Sequence, residues 1–179
     1  LSAVLVGLGL WVRFQIGETP AFREALEREA PPTVPLGRLL REHWAPVITG
    51  SAGVIACFAI FYLSTAFALG HLTSARHMDR ETVLGVQLLA NTFLAIGIVV
   101  AGIWADKTTP GKVLGWGAVA TVLLGIVFGP VLGSSSLPVI FVMLSASLFV
   151  MGLVYGPLGA WLPTLFSPFV RYTGVSVAF

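Results

Sequence analysis

Two side-chain amides, Gln87 and Asn91, stand one helical turn apart in the middle of a long apolar stretch. An amide in hydrocarbon is costly unless another helix or a watery cavity satisfies its donors and acceptors. Phe58, Tyr62 and Thr65 recur at about helical spacing on the preceding apolar stretch, and Ser147, Met151 and Tyr155 do so on a later one. Tyr62, Gln87 and Asn91 are expected to face a central polar path, with Thr65 and Tyr155 as further candidates along it. The competing reading is that these groups only fasten helix to helix.

Other chemistry is absent from the pattern. No Asp, Glu, Lys or Arg lies in the middle of a full apolar stretch, where an ionisable group would be the first functional candidate. His43, His71 and His77 fall at stretch ends or in polar joints, with no second ligand at metal spacing, so no metal is expected. There is no phosphate loop, nucleophile elbow or carboxylate pair. The expectation is a protein that is not an enzyme, with no cofactor and no nucleic-acid partner.

The elements that must position these residues are membrane helices. Hydrophobic residues make up 56% of the 179-residue chain and charged residues 10%. Soluble domains carry about 25% charged residues. Four apolar runs are each long enough to cross a hydrocarbon core of about 30 Å as a helix. The expected spans are 45–69, 83–105, 113–133 and 139–166, with a truncated helix from 173. Residues 1–16 read as the end of an earlier membrane helix, and 17–44 as a polar loop. The chain starts without Met inside one apolar segment and stops inside another, which reads as a piece of a longer polytopic protein. The fold class expected is all-α, a polytopic transmembrane helical bundle.

Orientation follows from the basic residues. Arg13, Arg23, Arg28, Arg38, Arg41, Lys107, Lys112 and Arg171 fall on one side by alternation, against Arg76 and Arg80 on the other. The positive-inside rule places loops 17–44, 106–112 and 167–172 in the cytoplasm, and the chain in the plasma (inner) membrane. Within the long loop, Thr19-Pro20 can start a short helix, with Phe22 and Leu26 on one face and Glu24 paired to Arg28, before Pro31-Pro32 ends it. Leu36, Leu39, Leu40 and Trp44 form a second apolar stripe beside Arg38 and Arg41. Both segments suit amphipathic helices at the membrane surface.

Glycine and proline punctuate the spans. Gly125, Gly129 and Gly133, and again Gly152 and Gly156, repeat at four-residue spacing, which lets helix backbones approach closely in lipid. Gly129-Pro130 and Gly156-Pro157 interrupt the backbone ladder, and a helix kink is expected at Gly156-Pro157.

Three motifs, taken together, resemble the major facilitator superfamily and, within it, the metabolite:proton symporters. Gly102-x-x-x-Asp106-Lys107, ending in Gly111-Lys112, is similar to the superfamily's cytoplasmic loop signature. Arg13 followed by Glu18-Thr-Pro-Ala-Phe22 resembles the segment after the family's sixth helix. Tyr155-Gly156-Pro157 leading to Phe166 and Arg171-Tyr-Thr-Gly174 resembles the joint between its tenth and eleventh helices. The resemblance covers essentially the whole chain. It implies half of a twelve-helix fold, from the end of helix six to the start of eleven, with the amino-terminal half of the same protein as partner. It further implies secondary active transport of a small organic solute, a carboxylate or a betaine- or amino-acid-like molecule, by proton symport with alternating access. Gly102, Asp106, Lys107, Gly111, Lys112 and Arg171 would form a cytoplasmic gate. Two departures matter: Thr108-Thr-Pro110 lengthens the loop signature, and Thr164 stands where the family commonly has a Glu that would tie Arg171 and Lys112 into an ion network. The spans hold no titratable proton carrier, so an uncoupled facilitator or exchanger is the alternative, and a non-transporting membrane scaffold a more distant one.

Overall fold

The computed structural model describes residues 2–15, 23, 26, 27, 35–134 and 136–179. The expected short helix beginning at Thr19-Pro20, the Glu24–Arg28 pair, Pro31-Pro32 and the motif residue Glu18 lie outside the described residues. No strand occurs among those described, and the architecture is all-α.

Helix α1 spans Ser2–Gln15, and its described apolar side chains, Val4 to Val12, are exposed. Helix α2, Pro35–Glu42, is amphipathic; Arg38 Nε donates to Glu42 at 2.9 Å, one turn on. Its inward residue, Leu39, is fully buried against Leu162, Phe166, Val170 and Ala178. Leu36 and Leu40 stay exposed.

Helix α3, Trp44–Tyr62, runs without a break into a π-helical turn, Leu63–Phe67, and then into α4, Ala68–Ser74. Together they make one apolar column of 31 residues. It outlasts the 45–69 stretch because Thr73 and Ser74 return their hydroxyls to the carbonyls of Leu69 and Gly70, satisfying groups that would otherwise end the helix. Helix α5, Arg80–Lys107, starts a turn earlier than its apolar residues do. Asp79 caps it, accepting from the Thr82 amide at 2.9 Å and the Thr82 hydroxyl at 3.0 Å. The same helix runs on through Asp106 and Lys107, and Thr108 closes it by donating to the Trp104 carbonyl at 2.8 Å. Helix α6, Pro110–Leu132, begins on a proline, whose missing amide costs nothing in a first turn. The joint between α5 and α6 is therefore only Thr108-Thr109. Helix α7, Leu137–Trp161, stays helical through Pro157 and passes into a 3-10 turn at Leu162–Leu165. Helix α8, Arg171–Ala178, follows.

Helix α7 is the centre of the bundle. Of its most apolar window 56% is buried inside the protein, against 17% for α5. In lipid, burial of apolar surface does not drive association, so close backbone approach decides what packs. That approach is between α5 and α7. A Cβ on Gly152 would sit 2.5 Å from the Leu94 carbonyl oxygen and 2.8 Å from the Ile98 nitrogen, and one on Gly156 3.0 Å from the Ala101 Cβ. Gly152 and Gly156 thus do what their spacing promised. Gly125 and Gly129 do not: a Cβ at either meets nothing within 4 Å, because that face of α6 points away from the described helices. At Gly133 the near atom is the helix's own Pro130 carbonyl.

Two apolar clusters fill the bundle. One joins Val54, Cys57 and Ile60 of α3 to Met151, Val154 and Leu158 of α7, and reaches α2 and α8. The other joins Ala68 and Leu72 of α4 to Val83, Phe128, Ile140 and Leu144. They meet at the π-turn.

Candidate functional site

The π-turn organises the candidate polar residues. A π-helical turn widens the backbone ladder by one residue and leaves carbonyls turned away from their normal partners. Gln87 supplies what is missing. Its Nε2 donates to the Ser64 carbonyl at 3.0 Å and to the Thr65 carbonyl at 2.8 Å, across from α5. Both hydrogens of one side-chain amide are therefore used on two successive carbonyls. Gln87 fastens α5 to the π-turn, which is the helix-to-helix alternative drawn from sequence. Thr65 is committed as well: its hydroxyl donates to the Phe61 carbonyl at 2.7 Å.

Tyr62 ends α3 immediately before that turn and is 60% exposed. Its ring lies edge-on to Phe61 at 5.6 Å and tilted against Phe58 at 6.5 Å. Asn91 is exposed one turn beyond Gln87, and Tyr155 is 44% exposed on α7. The structure joins Gln87 to the Ser64–Thr65 segment; it leaves Tyr62, Asn91 and Tyr155 on uncovered faces of three different helices. Behind Tyr155, Gly156 is wedged against α5 and Pro157 is buried. A groove of about 450 Å³ runs between Leu124 and Val131 of α6 and Val139, Met143 and Ala146 of α7, and its lining is apolar. It contains none of the candidate residues.

At the other end of the bundle, the loop signature is drawn onto α7 by an aromatic side chain. A Cβ on Gly111 would stand 3.1 Å from Trp161 Nε1 and 3.2 Å from its Cδ1, and one on Gly53 would stand 3.3 Å from the same indole. Trp161 therefore packs on the start of α6 and on α3 at once. Gly102, by contrast, has open space where its side chain would be. Asp106, Lys107 and Lys112 are exposed, and among the described residues neither Asp106 nor Lys112 forms an ion pair with Arg171. Arg171 opens α8 with its Nε buried and without a hydrogen-bond partner among the described residues. Thr164 does not reach toward it; its hydroxyl donates to the Trp161 carbonyl at 2.6 Å, inside its own 3-10 turn. Gly174 receives Phe166, whose ring occupies the space a side chain would need.

Sequence reasoning missed Trp161, Gly97 and the π-turn. Gly97 carried a weak signal, a lone glycine in a span with no glycine partner at four-residue spacing. The π-turn carried none, since Leu63 to Phe67 read as ordinary helix.

Comparison with known proteins gives a consistent result. The chain is 33% identical over 183 residues to the inner membrane metabolite transport protein YhjE of Escherichia coli strain K12, covering 99% of this chain and 42% of that protein. It is 32% identical over 190 residues to a putative metabolite transport protein of Haemophilus influenzae, covering 99% of this chain and 43% of that one. To the glycine betaine/proline/ectoine/pipecolic acid transporter OusA of Dickeya dadantii it is 24% identical over 183 residues, with 96% of this chain and 36% of that protein covered. The chain spans less than half the length of these relatives. No family model and no solved structure matches it.

Proposed function

From its kinship with the metabolite transporters of the major facilitator superfamily, we propose that this chain is the carboxy-terminal helical domain of a multi-pass plasma-membrane secondary transporter. The observation that carries this is likeness to metabolite transport proteins along 99% of the chain, joined to four helices long and apolar enough to cross a membrane. Its cargo is a small organic solute, a carboxylate or a betaine- or amino-acid-like zwitterion, moved by proton symport through alternating access between this domain and an amino-terminal half.

In this reading Tyr62, Asn91 and Tyr155 face the solute path between the two halves. Their phenolic and amide groups are uncharged, so they suit hydrogen bonds to a solute's polar end rather than capture of net charge. Gln87 and Thr65 support the path from behind by holding the π-turn under Tyr62. The gate lies at the cytoplasmic end, with loops 17–44, 106–112 and 167–172 on that side. Exposed Asp106, in the last turn of α5, is placed to meet a helix amino-terminus or a basic residue of the other half, where an anion is favoured. Lys107 and Lys112 flank it, Gly111 seats the loop on Trp161, and Arg171 closes the same end.

A second reading, an uncoupled facilitator or exchanger, has one observation in its favour: no Asp, Glu, Lys or Arg lies in mid-span to carry a proton. One experiment separates the two. Vesicles bearing the complete protein are given labelled organic acids and betaines, with and without an imposed proton gradient. Proton symport predicts accumulation that a protonophore abolishes. Equilibration indifferent to the gradient favours the facilitator, and absence of uptake across the panel defeats the transporter reading.

A further inference from the structure

Two serine hydroxyls lie sealed between α3–α4 and α7. Ser64, in the π-turn, and Ser147, on α7, are each fully buried, and neither Oγ has a hydrogen-bond partner among the described residues. A buried hydroxyl without a partner is destabilising, and a serine in a helix normally returns its hydroxyl to a carbonyl one turn back. Thr65, Thr73 and Thr121 do so here; these two serines do not.

Their positions face each other. α3 and α7 run antiparallel: Gly50 meets Leu162, and Gly53 meets Leu158. Three turns of helix are about 11 residues. That step carries Gly53 forward to Ser64 and Leu158 back to Ser147, each on the face it started from. The clusters follow the same register, with Cys57 and Ile60 alongside Val154 and Met151 below that level, and Ala68 and Leu72 alongside Leu144 and Ile140 above it. The π-turn itself packs on α7.

We propose that Ser64 and Ser147 form a polar site at the α3–α7 interface that holds one water molecule, which bridges the two helices at the depth where the two apolar clusters meet. A buried water needs two to four polar partners, and the two hydroxyls provide donors and acceptors to it. The chemistry favours water over a metal cation. No carboxylate is near in sequence, and the Gln87 amide already directs both its hydrogens at this turn, which makes it a poor place for positive charge. Ser64 thereby ties two helices at once, α5 through its carbonyl and α7 through its hydroxyl. The link to α7 is one that can be exchanged as the helices shift.

The test uses the complete protein in lipid nanodiscs. Ser64→Ala and Ser147→Ala are each expected to lower the melting temperature, because the surviving hydroxyl and its water lose a partner. The double substitution is expected to fall no further than the worse single. Additive losses would overturn the shared site. Ser145, also buried and unpartnered but two residues away on a different face of α7, serves as comparison: its loss should add to that of Ser64. In a Cys57→Ala background, Ser64→Cys with Ser147→Cys should be bridged by mercuric ion, and failure to bridge would overturn the facing register. Melting in sodium chloride should match melting in choline chloride of equal strength. A sodium-dependent rise abolished by Ser64→Ala would overturn the assignment to water.

Discussion

Gly97 and Gly152 meet backbone to backbone. A Cβ on Gly152 would lie 2.9 Å from the carbonyl carbon of Gly97, and one on Gly97 would overlap the Phe149 carbonyl oxygen. The obstacle on each side is main chain, which cannot rotate aside. α5 and α7 therefore touch only because both positions lack a side chain, and Ala101 with Gly156 continues the seam one turn on.

Gly97→Val and Gly152→Val are expected to force the two helices apart. Overpacking of this kind costs about 1–3 kcal/mol or more. Gly125→Ala, where a Cβ meets nothing within 4 Å, should stay within about 0.5 kcal/mol of the parent. Thermal melting of the complete protein in nanodiscs measures all three. Equal effects at Gly97 and Gly125 would contradict the packing.

Gln87 and Asn91 should separate by phenotype although they are one turn apart. Gln87→Leu removes both donors from the Ser64 and Thr65 carbonyls, a loss of about 1–3 kcal/mol for a buried acceptor left unmet. Asn91→Leu, on an exposed face, should leave the melting temperature near the parent value and reduce uptake. Membrane insertion should survive both changes. Normal uptake by the Asn91 variant would remove that residue from the proposed path.

Trp161→Ala deletes the group that packs on both Gly111 and Gly53. Truncating a well-packed tryptophan costs about 3–5 kcal/mol, less where it is partly exposed, as here. The start of α6 should loosen first. A cysteine introduced at Thr109 should then react faster with a water-soluble maleimide than in the parent, and an unchanged rate would show that Trp161 does not fix this end.

Asp79 predicts an acid-sensitive helix start. The Thr82 amide, and then its hydroxyl, hold the Asp79 carboxyl below its ordinary value. A lowered carboxylate lends stability that is complete above its unfolded pKa, about 4, and is lost as pH falls through the folded value. The group is solvent-exposed, so the effect is local. Hydrogen exchange at the Thr82 amide should accelerate on acidification beyond its intrinsic pH trend. Asp79→Asn should keep the cap and remove the additional pH dependence, while Asp79→Ala should lose the cap throughout.

The sequence made the fold class legible because four apolar runs with short polar joints have few alternatives in lipid. Helix ends were harder. Asp79 and Pro110 begin helices inside segments that read as loop, since capping depends on one hydrogen bond or one missing amide rather than on hydropathy. The glycine repeats show the same limit. Spacing marks Gly125-x-x-x-Gly129 and Gly152-x-x-x-Gly156 alike, but only the second pair has a helix against it. Gln87 stood out as an amide in hydrocarbon, yet its partner could not be named, because a π-turn leaves no trace in residue types. Thr164 stood out as a missing carboxylate, and its bond to its own turn explains what the residue does instead.

Leu39 gives the short helix α2 a mechanical meaning. Sealed among Leu162, Phe166, Val170 and Ala178, it works as a cleat: tension arriving along the strand of chain before Pro35 is delivered to the corner between α7 and α8 instead of being dissipated in slack. A pull on that tether becomes a torque on the step where Phe166 sits over Gly174.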